Sequence, residues 1–143
     1  MSVPKYKRNE NKLQAYVDTI NVVRYTINMC ENPKIFPKKC RWTICNKLLD
    51  NCLDAVVKIR RANKIVAKTS DQAKERLRLE KEVLQHFDAL WGLMDIAYNA
   101  YNIPTHTIEV WSGLMLTADD RVSGWRKYDV ERFRKEFKTK NSK

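Results

Sequence analysis

Hydrophobic positions along the 143-residue chain recur at intervals of three and four in four stretches, and nothing alternates with period two for long enough to form a strand. The first stripe is Leu13, Tyr16, Ile20, Val23 and Ile27, with Val17 beside it, and it stops at Asn32-Pro33. The second begins near Pro37, a residue suited to a first helical turn, and runs Trp42, Cys45, Leu49, Cys52, Val56, Ile59. Thr69 followed three residues later by Gln72 is a capping-box pattern that opens the third helix. Its stripe reads Glu80, Val83, Phe87, Leu90, Met94, Ala97 and Tyr101, polar at the start and apolar thereafter. Pro104-Thr105 breaks and restarts the chain, and the fourth stripe is Ile108, Trp111, Met115, Ala118, Val122, Trp125. Helices are therefore predicted over 11–31, 38–66, 70–102 and 105–127, followed by a basic C-terminal tail over 128–143.

Four helices joined by short connections hide such seams by packing side by side, antiparallel, with axes about 20° apart. The predicted fold is all-α, an antiparallel up-down-up-down four-helix bundle forming a single domain over 1–143. With 3 Gly and 4 Pro there is little material for the tight turns of a sandwich or barrel. A chain of this length buries roughly two thirds of the surface it exposes when unfolded, so its core needs no disulfide or structural metal. Cys30, Cys40, Cys45 and Cys52 lack C-x-x-C spacing and read as packed thiols. No apolar run approaches the ~20 residues of a membrane span. The N-terminal Met1–Arg8 stretch is charged with no apolar segment behind it. A soluble, cytoplasmic protein without membrane association is expected.

Charge changes this picture because it is unevenly placed. The net +11 comes from residues 34–70 (+8), residues 126–143 (+5) and residues 1–12 (+3), whereas the remaining segments are each slightly acidic. Such asymmetry points to a polyanionic partner. On the second helix and its flanks the candidate nucleic-acid contacts are Lys38, Lys39, Arg41, Lys47, Lys58, Arg60, Arg61, Lys64 and Lys68. Helical projection turns Lys47, Lys58 and Arg61 away from the seam, with Asp50 and Asp54 among them. Asp54 is placed to pair with Lys58 at i, i+4, so the strongest field is expected at the two ends of the helix. On the third helix, Arg76 with Glu80 and Arg78 with Glu82 read as surface charges that cancel. The tail adds Arg126, Lys127, Arg132, Arg134 and Lys135, interleaved with Tyr128, Phe133 and Phe137. Two uses fit the tail: stacking on exposed bases, or continuing the fourth helix through Val130, Phe133 and Phe137 to cover the end of the bundle. Residues 138–143 are expected to lack fixed structure.

Catalytic constellations are missing. His86 and His106 are the two histidines, and Glu82 to His86 is i, i+4 rather than the Glu-x-x-His of di-iron bundles. A helical-bundle ribonuclease of the HEPN type places four to six residues between Arg and His, and the nearest pair here, Arg78 and His86, has seven. There is no Gly-rich phosphate loop, nucleophile elbow or zinc spacing. The expectation is a protein without enzymatic activity, cofactor or metal.

Phe36-Pro37-Lys38, then Leu49 through Cys52-Leu53-Asp54-Ala55, and the late Gly124-Trp125-Arg126-Lys127 carry a resemblance over about residues 11–127. The chain resembles the four-helix-bundle family that includes proteins encoded in intervening sequences of large-subunit ribosomal RNA, and more specifically the accessory variability determinants (Avd) of diversity-generating retroelements. That resemblance implies a basic, non-catalytic protomer of a ring-like homopentamer. It also implies binding to the element's reverse transcriptase and to its nucleic acid, the template RNA or a DNA hybrid of it, in support of error-prone cDNA synthesis and mutagenic retrohoming. The alternative function is a structural protein-interaction bundle, or a general RNA-binding bundle unrelated to a reverse transcriptase.

Overall fold

The computed structural model describes the backbone of residues 5–141 and the side chains of residues 13–137. It is an all-α four-helix bundle. Helix α1 spans Lys5–Glu31, α2 Asn46–Lys64, α3 Ser70–Ala100 and α4 Thr105–Asn141. A 3-10 turn (Lys38–Cys40) and a π-helical turn (Arg41–Cys45) lead directly into α2, where one continuous helix was expected. Helix α4 continues fourteen residues past the expected end at 127, so the tail is largely its last turns. The expectation that residues 138–143 lack fixed structure is corrected over 138–141, whose backbone continues α4, while 142–143 lie outside the described residues. Among the described residues, no helix is long and apolar enough to cross a membrane.

The connections follow local chemistry. After α1, the Asn32 carbonyl accepts from the amides of Ile35 and Phe36, both at 2.9 Å, and its side chain accepts from Lys34 N–H at 3.0 Å. This turn reverses the chain at Pro33, which cannot extend the helix. The capping box opens α3 as expected: Gln72 N–H donates to Thr69 Oγ1 at 3.2 Å, and Thr69 N–H to Gln72 Oε1 at 3.1 Å.

Helix α1 packs on α2 and α4, and α3 also packs on α2 and α4. Contacts run in opposite directions along three of these pairs, α1–α4, α2–α3 and α3–α4. Trp111 meets Thr26 while Arg121 meets Asp18, His86 meets Asn51 while Glu82 meets Lys58, and Trp91 meets Asp119 while Arg76 meets Asp129.

The stripes of α3 and α4 lie where expected. Glu80, Val83, Phe87, Leu90, Met94 and Ala97 are buried, as are Trp111, Met115, Ala118, Val122 and Trp125; Tyr101 and Ile108 are half-buried at the ends. Two stripes need correction. On α1 the innermost residues are Ala15, Thr19, Val22, Thr26 and Met29, with Val23 beside them, whereas Leu13 and Val17 remain 63% and 46% exposed. The two hydroxyls are satisfied within the helix, Thr19 donating to the Ala15 carbonyl at 2.8 Å and Thr26 to that of Val22 at 2.7 Å, so their burial leaves no donor unpaired. On α2 the seam is Cys45, Leu48, Cys52, Ala55, Ile59, Ala62, which shares Cys45, Cys52 and Ile59 with the expected stripe but turns Leu49 and Val56 to its flank. Trp42, expected at the head of that seam, is 80% exposed. The π turn, closed by Asn46 N–H on the Arg41 carbonyl, inserts an extra residue and brings Ile44 inward in its place.

The cysteines are free thiols, three of them buried. Burial raises the Cys52 thiol to about 11 and also raises Cys30 and Cys45, so all three stay protonated at neutral pH.

Candidate nucleic-acid interface

The candidate cations fall into distinct groups once side chains are placed. Lys38, Lys39 and Arg41 are exposed on the 3-10 and π turns, held by Phe36, Cys40, Ile44 and Cys45, which are all buried. Arg60, Arg61, Lys64 and Lys68 are exposed at the other end of α2. At 1.5 Å per residue, the 19-residue α2 is about 28 Å long, with one cluster just before its first turn and the other in and just beyond its last turns. None of the seven has a carboxylate within ion-pair distance among the described residues. Lys47 is exposed between them, and its carbonyl accepts from the Asn51 side chain at 2.9 Å.

Lys58 departs from the expectation that it points to solvent. It faces α3, 24% exposed, with Nζ 3.1 Å from Glu82 Oε1 and 2.8 Å from His86 Nε2. It pairs with Glu82 rather than Asp54. Because the ammonium can only donate, Nε2 of His86 is the acceptor and its Nδ1–H donates to Asn51 Oδ1 at 3.0 Å. Burial, then the Lys58 charge, hold the His86 pKa below its usual value, so the ring is neutral at pH 7. Glu82 also meets Arg78, which in turn meets Glu75 at 2.6 Å. Lys58, Glu82, Arg78 and Glu75 thus form a charge-cancelling chain along the α2–α3 surface, as expected for Arg78 with Glu82.

Arg76 and Glu80 are not surface charges, contrary to expectation. Both are buried, and Arg76 Nε lies 2.8 Å from Asp129 Oδ2 on α4 and 3.4 Å from Glu80 Oε2. Arg76 Nη1–H donates to the Ile65 carbonyl at 3.2 Å, and the guanidinium sits 5.7 Å from the Trp125 ring and 5.8 Å from that of Phe133. Burial foremost, then the Asp129 carboxylate, raise Glu80 to about 10. Glu80 is therefore a neutral acid at pH 7, and the Asp129 carboxylate lies against Arg76. The group ties α3, the α2–α3 connection and the far part of α4 together.

That tie decides the use of the tail. Phe133 and Phe137 are buried and pack with Ala73, Ala67 and Leu77, so these rings cover the end of the bundle and are not free for bases. Arg132 is 30% exposed, folded over Phe133 at 4.5 Å and Tyr128 at 5.9 Å, with Asp129 at 3.7 Å. Arg134 grips Glu131 through two contacts of 2.9 and 3.0 Å, and Lys135 lies 3.7 Å from the same carboxylate. Arg126 is half-buried and Lys127 is exposed. Because Ala67 contacts the buried tail rings, the tail and Lys68 belong to the same end of the molecule.

Trp42, directly behind the cation run in Pro37-Lys38-Lys39-Cys40-Arg41-Trp42, stands in solvent beside these cations. Among the described residues, no group of three or more His, Cys, Asp or Glu side chains is arranged to hold a metal. No protein-family model, curated protein or solved structure matches this chain.

Proposed function

We propose that this chain is a non-catalytic basic accessory protein that binds nucleic acid, RNA or a DNA hybrid of it, together with a reverse transcriptase, in the manner of the accessory variability determinants it resembles. The observation that carries the reading is the exposure of Lys38, Lys39, Arg41, Arg60, Arg61, Lys64 and Lys68 at the two ends of one helix, none of them in an ion pair at contact distance among the described residues. Lys58, Arg78, Arg121 and Arg134, by contrast, each lie against a carboxylate of the same chain. Exposed cations without an internal partner are available to displace counterions from a phosphate backbone. Of the remaining candidates, Lys47 and Lys127 would extend the contact, and Lys58, Arg126, Arg132, Arg134 and Lys135 would contribute least. Charge reversal at Arg60→Glu with Arg61→Glu tests this: RNA affinity in filter binding should fall about ten-fold or more, with the unfolding midpoint unchanged. Unaltered affinity would contradict it.

A second reading, a bundle that docks proteins, is favoured by the apolar side chains left in water. Leu13 and Val17 on α1 and Leu116 on α4 are 63%, 46% and 56% exposed, apolar surface that a protein partner would cover. It is compatible with self-association into the ring of five that the resemblance implies. A light-scattering mass five times the 16.9 kDa protomer would support that ring.

A further inference from the structure

Trp42 is the residue whose position is least explained by stability. The other tryptophans serve the fold. Trp111 is fully buried with its indole N–H on Thr26 Oγ1 at 3.1 Å, Trp125 is buried against Arg76, and Trp91 donates to Asp119 at 2.9 Å. Trp42 presents 80% of its surface to solvent. Its exposure does not come from a loose loop. Cys40 before it is 1% exposed, Ile44 and Cys45 after it are 4% and 2% exposed, and the backbone between is hydrogen-bonded as 3-10 and π turns. Thr43 Oγ1–H reaches the Cys40 carbonyl at 3.3 Å and lies 3.4 Å from the Tyr101 hydroxyl, and Tyr101 is set edge-on to the buried Phe36 at 5.9 Å. The turn is clamped from both sides while its largest ring is held outward. π turns of this kind recur at functional sites.

The surroundings indicate what such a ring would meet. Lys38, Lys39 and Arg41 are exposed within four residues of Trp42, and none is paired to a carboxylate among the described residues. Lys38 and Arg41 also line a small hollow with Pro33, Phe36 and Pro37, where Glu31 is the carboxylate present. A rigid aromatic face beside several free cations matches the two parts of single-stranded nucleic acid: a base stacks on the ring and its flanking phosphates meet the cations. A paired base offers no open face, so a duplex would use the cations alone.

We propose that Trp42, with Lys38, Lys39 and Arg41, is a stacking site for an unpaired base of single-stranded nucleic acid. This deepens the proposed function, on which it rests, by naming the strand state recognised at that end of the molecule. The probe is a single-stranded RNA 15-mer and the duplex formed with its complement, each followed by fluorescence anisotropy in the same salt. The full chain should bind the single strand with quenching of tryptophan emission, since Trp42 is the most exposed of the four indoles. Trp42→Ala should weaken single-strand binding by roughly ten-fold or more, the order expected for losing one base–aromatic stack, and leave duplex binding within about two-fold. Trp42→Phe should recover most of the affinity without the quench. The unfolding midpoint should not move, because an exposed side chain contributes little to stability. Equal affinity of wild type and Trp42→Ala for the single strand would overturn the stacking site while leaving the basic-surface reading intact. A parallel loss on single strand and duplex would also overturn it, as would a fall in particle mass with RNA binding unchanged, which would make Trp42 a protein contact. Failure of the wild type to bind either probe would instead remove the proposed function itself.

Discussion

Replacing Arg76 by Met isolates the buried charge group that fixes the far end of α4. Methionine is close in length and keeps the apolar contacts with Trp125 and Phe133, so the change removes charge and hydrogen bonds with little loss of volume. Three contacts go at once: Asp129 at 2.8 Å, Glu80 at 3.4 Å and the Ile65 carbonyl at 3.2 Å. Asp129 is then a buried carboxylate with only the Glu80 acid and, at 3.7 Å, the half-buried Arg132 to answer it. Breaking a buried pair on one side costs about 3–5 kcal/mol, a large part of the 5–15 kcal/mol typical of a domain. The value should lie toward the lower end, because Arg132 can swing inward. Urea denaturation at pH 7 measures it, and limited trypsinolysis should show faster cleavage after Arg132 and Lys135 as α4 loosens. The double variant Arg76→Met with Asp129→Leu should regain most of the loss. In the wild type Arg76 Nη2 and Asp129 Oδ1 have no hydrogen-bond partner, and apolar replacements of such imperfectly satisfied groups are often neutral or stabilising. An Arg76→Met protein within about 1 kcal/mol of wild type would refute the reasoning, by showing that this site is not desolvated.

Two further perturbations address the same end. The Glu80 carboxyl has its usual value of 4.5 raised to about 10 by burial and Asp129, so the folded chain holds a proton that the unfolded chain releases across that window. The stability it contributes is complete below pH 4.5 and is lost as pH rises toward 10. Glu80→Gln keeps a donor for Asp129 and cannot ionise; it should exceed wild type in stability at pH 8–9 and match it near pH 4.5, and parallel pH–stability curves would contradict the assignment. Phe133→Ala removes a ring that is 4% exposed in the satellite cluster and should cost about 3 kcal/mol, measured by thermal unfolding, whereas a change under 0.5 kcal/mol would return the tail rings to solvent.

How much of this was legible depends on which residues make each seam. Helices α3 and α4 present mostly large apolar side chains at unbroken three- and four-residue spacing, and the stripe residues from Glu80 to Ala97 and from Trp111 to Trp125 are all buried. On α1 and α2 the fully buried positions include Ala15, Thr19, Ala55 and Ala62, small residues that carry little weight in a hydrophobicity pattern, so the stripe falls instead on the larger Leu13, Val17 and Val56 on the flank. Trp42 was misplaced for another reason. A π turn changes the angular increment of the helix, and nothing in residue type announces it. The buried state of Arg76 depends on Asp129, 53 positions away, a long-range pairing that no local spacing displays. The same holds for Lys58, whose partners lie on α3. For the basic ends of α2 the sequence is sufficient: Lys38, Lys39, Arg41, Arg60, Arg61, Lys64 and Lys68 outnumber nearby acids, and that excess survives folding as exposed charge.

The central claim, that this exposed charge engages a phosphate backbone, is tested most directly by the salt dependence of RNA binding. Filter-binding constants measured between 50 and 200 mM salt should fall about a thousand-fold if about six phosphates are neutralised, giving a log–log slope near −4 to −5. A slope close to zero, or no binding at 50 mM, would contradict it.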